Sequence, residues 1–256
     1  MIKANLIEVF SGIQGEGLLI GNRMIFARVD SCNLSCNYCD TPMGRPAHPS
    51  ARIEKSSGKR NFELKTNPIS TSDLIKAIDR LQKDCQFHQW ISLTGGEPLL
   101  YRGFWEEIIP PLKKMGLKIL LETNGTIPTI STRSYERTLE MFMRDMDMVS
   151  MDIKEHEDGA KVEEWTEMLR ITGGSKNRYV KMVVRPNPNI EHFVYATKIL
   201  HQADPTITLI LMPVTPYRDI EKSPSPREML DLQFLLMKKH PHILVIPQTH
   251  KLIGQM

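Results

Sequence analysis

Residues 24–41 read MIFARVDSCNLSCNYCDT: an apolar run that breaks into a polar loop holding Cys32, Cys36 and Cys39. The chain has four cysteines in 256 residues, and three of them fall in this loop. Such clustering is a poor basis for a disulfide framework and points to a metal site in a reducing compartment. Asn33, Ser35 and Asn37 make the segment polar, which argues against three buried structural thiols. The spacing is C-x3-C-x2-C. Structural zinc needs four ligands, usually in two separated pairs, and Cys85 or His88 is the candidate for completing such a set. Iron–sulfur clusters also take cysteine thiolates at short spacings. A 4Fe–4S cluster on three cysteines leaves one iron open to an outside ligand, the mark of a catalytic site.

Outward from the cysteines the chain alternates. Apolar, strand-like runs occur at 24–30, 90–94, 118–123, 148–153, 179–184, 207–212 and 243–247. Between them lie stretches with helical spacing: SDLIKAIDRLQK after a Ser-Thr-Ser cap signal, FWEEIIPPLKKM, RTLEMFMRDM, VEEWTEMLR, IEHFVYATKILH and REMLDLQFLLMKKH. The strands are apolar nearly throughout, as in a parallel sheet covered on both faces. A single α/β domain is expected, as a partial or full barrel or an open doubly wound sheet. Residues 43–71 interrupt the pattern with a Pro/Ser-rich basic insert carrying Arg45, Arg52, Lys55, Lys59 and Arg60. It reads as a solvated loop, or else as a lid or a docking surface for an acidic electron donor.

Composition excludes little and constrains much. The 41% hydrophobic and 25% charged fractions are ordinary for a globular protein, and a formal net charge of +3 gives no case for nucleic acid. MIKANLIEVF lacks an apolar core behind a basic start, so no signal peptide is expected, and no run reaches the length of a bilayer span. The expectation is a cytoplasmic protein without membrane or nucleic-acid partners. The methionine-rich run at 141–151 reads as core packing and KKHPHI (238–243) as a helix C-terminus. Cys85 reads as a half-buried helix thiol.

C-x3-C-x2-C with Tyr38 before the last cysteine resembles the cluster motif of the radical S-adenosylmethionine (SAM) superfamily. TGGEP (94–98), directly after a strand, resembles that superfamily's second marker. The resemblance implies a partial (β/α)6 barrel of the radical SAM type and a 4Fe–4S cluster on Cys32, Cys36 and Cys39. In that superfamily the open iron chelates SAM, and the reduced cluster cleaves it to a 5′-deoxyadenosyl radical that abstracts a substrate hydrogen. Functional groups of such barrels gather at strand C-terminal ends. Here the cysteines, TGGEP, ETNGT, Ser150 with Asp152, and Met212-Pro213 all stand there.

The stretch VFSGIQGEGLLIGNRMIFARVDSCNLSCNYCDT narrows the resemblance to the 7-carboxy-7-deazaguanine synthases, enzymes of the queuosine and archaeosine precursor pathway. The matching positions are Ile13-Gln14-Gly15-Glu16-Gly17, Gly21, Phe26-Ala27-Arg28 and Cys39-Asp40-Thr41, with PQTHK (247–251) extending the match thinly. The chain departs from the family at Ser31, usually Gly, around Met212, where a Gln is often found, and in the length of the insert. The family resemblance implies conversion of 6-carboxy-5,6,7,8-tetrahydropterin to 7-carboxy-7-deazaguanine, by radical ring contraction with loss of ammonia and with Mg²⁺ as an aid. It places Tyr38, Asp40, Gly96, Ser150, Met151, Asp152 and Met212 at SAM, and Thr41 on Mg²⁺. Substrate falls to Ile13, Gln14, Gly15, Arg28 and Thr94, with Arg28 on its carboxylate or else paired with Asp30 or Glu16. His250 touches the substrate or closes the last turn, and both stay open. A flavodoxin or ferredoxin as electron donor and a homodimer are implied as well. Two other readings remain: another small radical SAM enzyme, such as a glycyl-radical activase, and a non-catalytic zinc-binding module.

Overall fold

Every apolar run named above becomes a strand. The computed structural model describes residues 2–41, 47–126, 138–154, 162–173, 177–217 and 220–255. Its first half runs β1 (Lys3–Ala4), β2 (Leu6–Ile13), β3 (Arg23–Val29), β4 (Ser50–Glu54), β5 (Phe62–Thr66), β6 (Ile69–Ser70), α1 (Thr71–Asp84), β7 (Trp90–Gly95), α2 (Arg102–Lys114) and β8 (Lys118–Thr123). Then come α3 (Leu139–Met143), β9 (Met148–Asp152), α4 (Val162–Thr172), β10 (Arg178–Val184), α5 (Ile190–Ala203), β11 (Thr208–Pro213), α6 (Pro226–Met237), β12 (Ile243–Val245) and α7 (Thr249–Leu252). Local chemistry sets the helix starts. Ser70 and Asn189 cap α1 and α5 with their side chains, and Ser225 with Glu228 forms a capping box ahead of Pro226 in α6.

The main sheet has ten strands in the order β12-β11-β10-β9-β8-β7-β3-β2-β4-β5. From β3 through β12 all neighbours are parallel, so their C-terminal ends open on one side. Helices cover the outer face, where Trp105, Trp165, Phe104, Phe142 and Phe193 are fully buried. The inner face follows the two-residue period of a strand. Along β3 it reads Met24, Phe26, Arg28; along β7, Trp90, Ser92, Thr94; along β8, Leu120, Glu122; along β10, Tyr179, Lys181. Its floor is a separate apolar cluster of Phe10, Leu19, Met24, Phe26, Trp90 and Leu120, with Phe10 and Phe26 stacked 5.1 Å apart. Its mouth is polar.

Four expectations change. β2 was not anticipated: its residues are buried almost throughout, yet Glu8, Ser11 and Gly12 break the apolar run. The described part of the 43–71 insert is not a solvated loop but a β4–β5 hairpin added to the sheet edge through β2. Residues 43–46 of it lie outside the described residues. The helix expected over 137–146 is only α3, and Arg137 lies outside the described residues. The last strand stops at Val245, two residues short of its expected end. Of the methionine-rich run, Met143, Met146 and Met151 are core residues, whereas Met141 is exposed.

Candidate active site

The cysteine loop leaves β3 and is clamped from β7. The Gly96 N–H donates to the Val29 carbonyl (3.0 Å) and the Glu97 N–H to the Ser31 carbonyl (2.6 Å). A Cβ on Gly96 would overlap the Ser31 carbonyl, and Gly95 has φ +112°, where side chains are strained. Glycine is therefore required for this contact. Glu97 turns inward, accepting from the Leu99 N–H, the Thr123 hydroxyl and the Asn124 N–H. Burial pushes its carboxyl up to about 7 despite those donors. Asn124 in turn donates to Asn33 Oδ1 (2.9 Å) and Cys32 Sγ (3.7 Å), so the third residue of Gly-Gly-Glu fixes the cysteine loop through β8. Burial pushes the Cys32 thiol up as well.

All three cysteines line one cavity of about 850 Å³ at the mouth of the sheet. Tyr38, Asp40, Thr41, Gly96, Asp152 and Met212 line it too, as do Ile13, Gln14, Gly15, Arg28, Thr94 and His250. Two residues assigned to SAM stand apart. Ser150 shares the inner face with Asp152 but lies one pleat deeper and is fully buried. Met151 points to the outer face and packs near Gly125 and Trp165.

Charge is organised around two lysines that no sequence motif marks, the buried Lys181 and the half-buried Lys154. Lys181 pairs with Glu16, and with Asp152 at 3.3 Å, while the Gln248 amide donates to Glu16 (2.9 Å). Burial raises the Glu16 carboxyl, but Lys181 and Gln248 outweigh it and bring it down to about 2. Glu122 stays raised by burial even though Ser92 and Gln14 donate to it. Lys154 pairs with Asp152 (2.7 Å) and lies over the Tyr38 ring at 5.6 Å. Burial opposes its charge, yet Asp152, Cys36 and Cys39 hold the ammonium protonated. A signal existed for Lys181: a lysine inside an otherwise buried apolar strand is rare unless paired.

Part of the expected substrate wall is already hydrogen-bonded. The Gln14 N–H and carbonyl pair with Asn22 and Gly21, and the Gly15 carbonyl accepts from the Thr249 N–H at 3.0 Å. Arg28 pairs with Glu8 (3.1 Å) on β2, its direct cross-strand neighbour, and not with Asp30 or Glu16. Asp30 accepts instead from His48. His250 lines the cavity and also lies against Gly15 so tightly that a Cβ there would collide with it; burial lowers its pKa.

The donor set fits a cluster and not a zinc ion. Among the described residues no three His, Cys, Asp or Glu are gathered to hold a single metal ion. Cys85 caps α1, and the His88 ring is engaged by Ser11, Ser57 and Gln82, both away from this cavity. The zinc-module reading is therefore set aside. Three half-buried thiols on one wall, beside a fixed ammonium, suit an anionic 4Fe–4S cluster with one open iron.

Relatives agree with that chemistry. The radical SAM superfamily profile matches residues 28–223, and the chain belongs to that superfamily, whose members carry a 4Fe–4S cluster and SAM. A solved structure of TYW1 with a lysine-pyruvate adduct bound shares the fold: TM-score 0.52, 15% identity, 86% of this chain and 74% of that one. The 7-carboxy-7-deazaguanine synthase of Geobacter sulfurreducens is 35% identical over 99% of this chain and 98% of its own. That of Methanocaldococcus jannaschii is 33% identical over 97% and 99%. Within the superfamily the chain is a member of the 7-carboxy-7-deazaguanine synthase family.

Proposed function

We propose that the protein converts 6-carboxy-5,6,7,8-tetrahydropterin to 7-carboxy-7-deazaguanine, with loss of ammonia. The observation that carries this reading is one shared cavity, whose walls include the cysteine loop, Thr94-Gly95-Gly96 and the Gln14-Gly15-Glu16 turn with Arg28. At about 850 Å³ it has room for two small ligands side by side. When bound, the cluster and SAM supply the radical that abstracts a substrate hydrogen. The chain supplies everything that holds and orients. Cys32, Cys36 and Cys39 hold the cluster. Tyr38, Asp40, Gly96, Asp152 and Met212 face SAM; Ser150 and Met151 support them from below and behind.

Ile13, Gln14, Gly15, Arg28, Thr94 and His250 bind the pterin. The side-chain amide of Gln14 and the guanidinium of Arg28 are the groups suited to its polar edges. Thr41 is the Mg²⁺ ligand; a hydroxyl beside a substrate carboxylate, completed by water, matches the oxygen preference of that ion. Asp40 next to it is held by Lys251 at 2.7 Å. A flavodoxin or ferredoxin delivers the electron. The site is small-molecule chemistry, without nucleic acid or membrane. No helix among the described residues is long and apolar enough to cross a bilayer, in keeping with a cytoplasmic enzyme. A homodimer is supported by the stripe Leu230, Phe234 and Met237 on α6, with Leu230 65% and Phe234 66% exposed.

Anaerobic reconstitution with iron and sulfide, then addition of SAM, dithionite, Mg²⁺ and the carboxy-tetrahydropterin, tests the reading. Formation of the deazaguanine supports it. SAM cleavage without product would favour an activase instead. Cys36→Ala should abolish SAM cleavage and Cys85→Ala should leave it intact.

A further inference from the structure

The insert hairpin reaches into the cavity. Arg52 of β4 lies directly across from Glu8, and Glu8 directly across from Arg28, so three strands present Arg–Glu–Arg in one row. Glu8 takes the Nε of Arg28 at 3.1 Å with one oxygen and sits 3.7 Å from Arg52 Nη1 with the other. All three residues line the cavity. Arg52 is further fixed by the Phe62 ring, 4.2 Å beneath its guanidinium.

The charges of this row do not cancel. Glu8, whose side chain is 6% exposed, neutralises one guanidinium and leaves one positive charge over. Elsewhere on the cavity wall the cations face acids: Lys181 faces Glu16 and Asp152, Lys154 faces Asp152, and Lys251 faces Asp40. Without Arg52, Arg28 would face the cavity as half of a neutral pair. With Glu8 on its Nε, Arg28 keeps its terminal Nη pair for an end-on, two-point contact with a carboxylate.

We propose that Arg52, supplied by the insert, is a specificity-determining residue. It gives the Arg28–Glu8 pair the surplus positive charge that selects the carboxylate of the pterin. The inference rests on the function proposed above. The alternative, a cross-strand ion ladder that only pins the hairpin to the sheet, makes different predictions.

The test is equilibrium binding to SAM-loaded holoenzyme without reductant, so that no turnover occurs. Two ligands are compared: 6-carboxy-5,6,7,8-tetrahydropterin and the same pterin lacking the carboxyl. Arg52→Gln should weaken the carboxylated ligand about five- to tenfold, a modest figure because Arg52 is half exposed, and move the other less than about twofold. Adding Glu8→Gln to Arg52→Gln frees the charge of Arg28 and should restore most of the lost affinity. A ladder that only pins the hairpin predicts no such rescue. Equal loss of both ligands, no loss, or failure of the double variant to recover overturns the assignment. If the wild type turns over the carboxy-pterin while Arg52→Gln binds it normally, this inference alone fails. If the wild type neither binds nor converts it, the functional reading fails with it.

Discussion

The floor and the mouth of the inner sheet face are built on the same strands, two residues apart, and they obey opposite rules. At the floor Phe10, Phe26, Trp90 and Leu120 pack with no polar partner among them. Higher on the inner face, Arg28, Glu122, Asp152 and Lys181 bring charge to the cavity wall. The floor holds by area removed from water, which tolerates small adjustments of shape. The mouth holds by pairings whose members are costly when left alone. Stability and chemistry are thus divided by depth along a strand, not by domain or by loop.

The sharpest break would come at the mouth, where shape is fixed by backbone. In Gly96→Ala the new Cβ meets the Ser31 carbonyl, and the cysteine loop must move. A displacement of that size should cost about 100-fold in SAM cleavage, measured by 5′-deoxyadenosine release. At the floor, Phe10→Ala removes a fully buried ring stacked on Phe26. It should cost about 3–5 kcal/mol in urea unfolding, with little change in KM. Equal losses of stability and KM would erase the division.

Lys181→Met removes the cation shared by Glu16 and Asp152 and should reverse a pH slope. In the wild type Glu16 sits at about 2 when folded against an ordinary 4.5, so its stabilising contribution is present above pH 4.5 and lost as pH falls toward 2. Without Lys181, burial raises that carboxyl in the folded state, and stability should instead fall as pH rises above 4.5. Urea unfolding between pH 4 and 8 distinguishes the two slopes. The smallest effect belongs to Asp204→Asn, outside both regions. Arg178 holds the Asp204 carboxyl down to about 2, at 2.8 Å. The pair's contribution is present above pH 3.8 and disappears toward pH 2. Its loss should cost less than about 1 kcal/mol at neutral pH and flatten the acid limb of a melting-temperature profile.

The barrel strands were legible because a buried parallel strand is written as an unbroken apolar run. β2 escaped that rule because the buried Glu8, Ser11 and Gly12 break the apolar run in LIEVFSGI. The hairpin in the insert was unreadable for another reason. SARIE and FELKT mix charge with apolar residues at an exposed sheet edge, which in sequence resembles a loop. In the site, the three cysteines and TGGEP stood out because chemistry dictates both residue type and spacing. Lys181, Gln248 and Lys251 did not, because their partners lie far off in sequence. Lys181 and Glu16 are 165 positions apart. Arg28 lines the cavity, but its partner Glu8 depends on a strand register that no local pattern records.

The turn at 248–251 has a temporal consequence. Thr249 bonds Gly15 across 234 positions, Gln248 reaches Glu16, and Lys251 reaches Asp40. During synthesis the cysteine loop therefore emerges long before the segment that walls it in. That part of the cavity wall is complete only when residues 248–251 arrive and settle against Gly15.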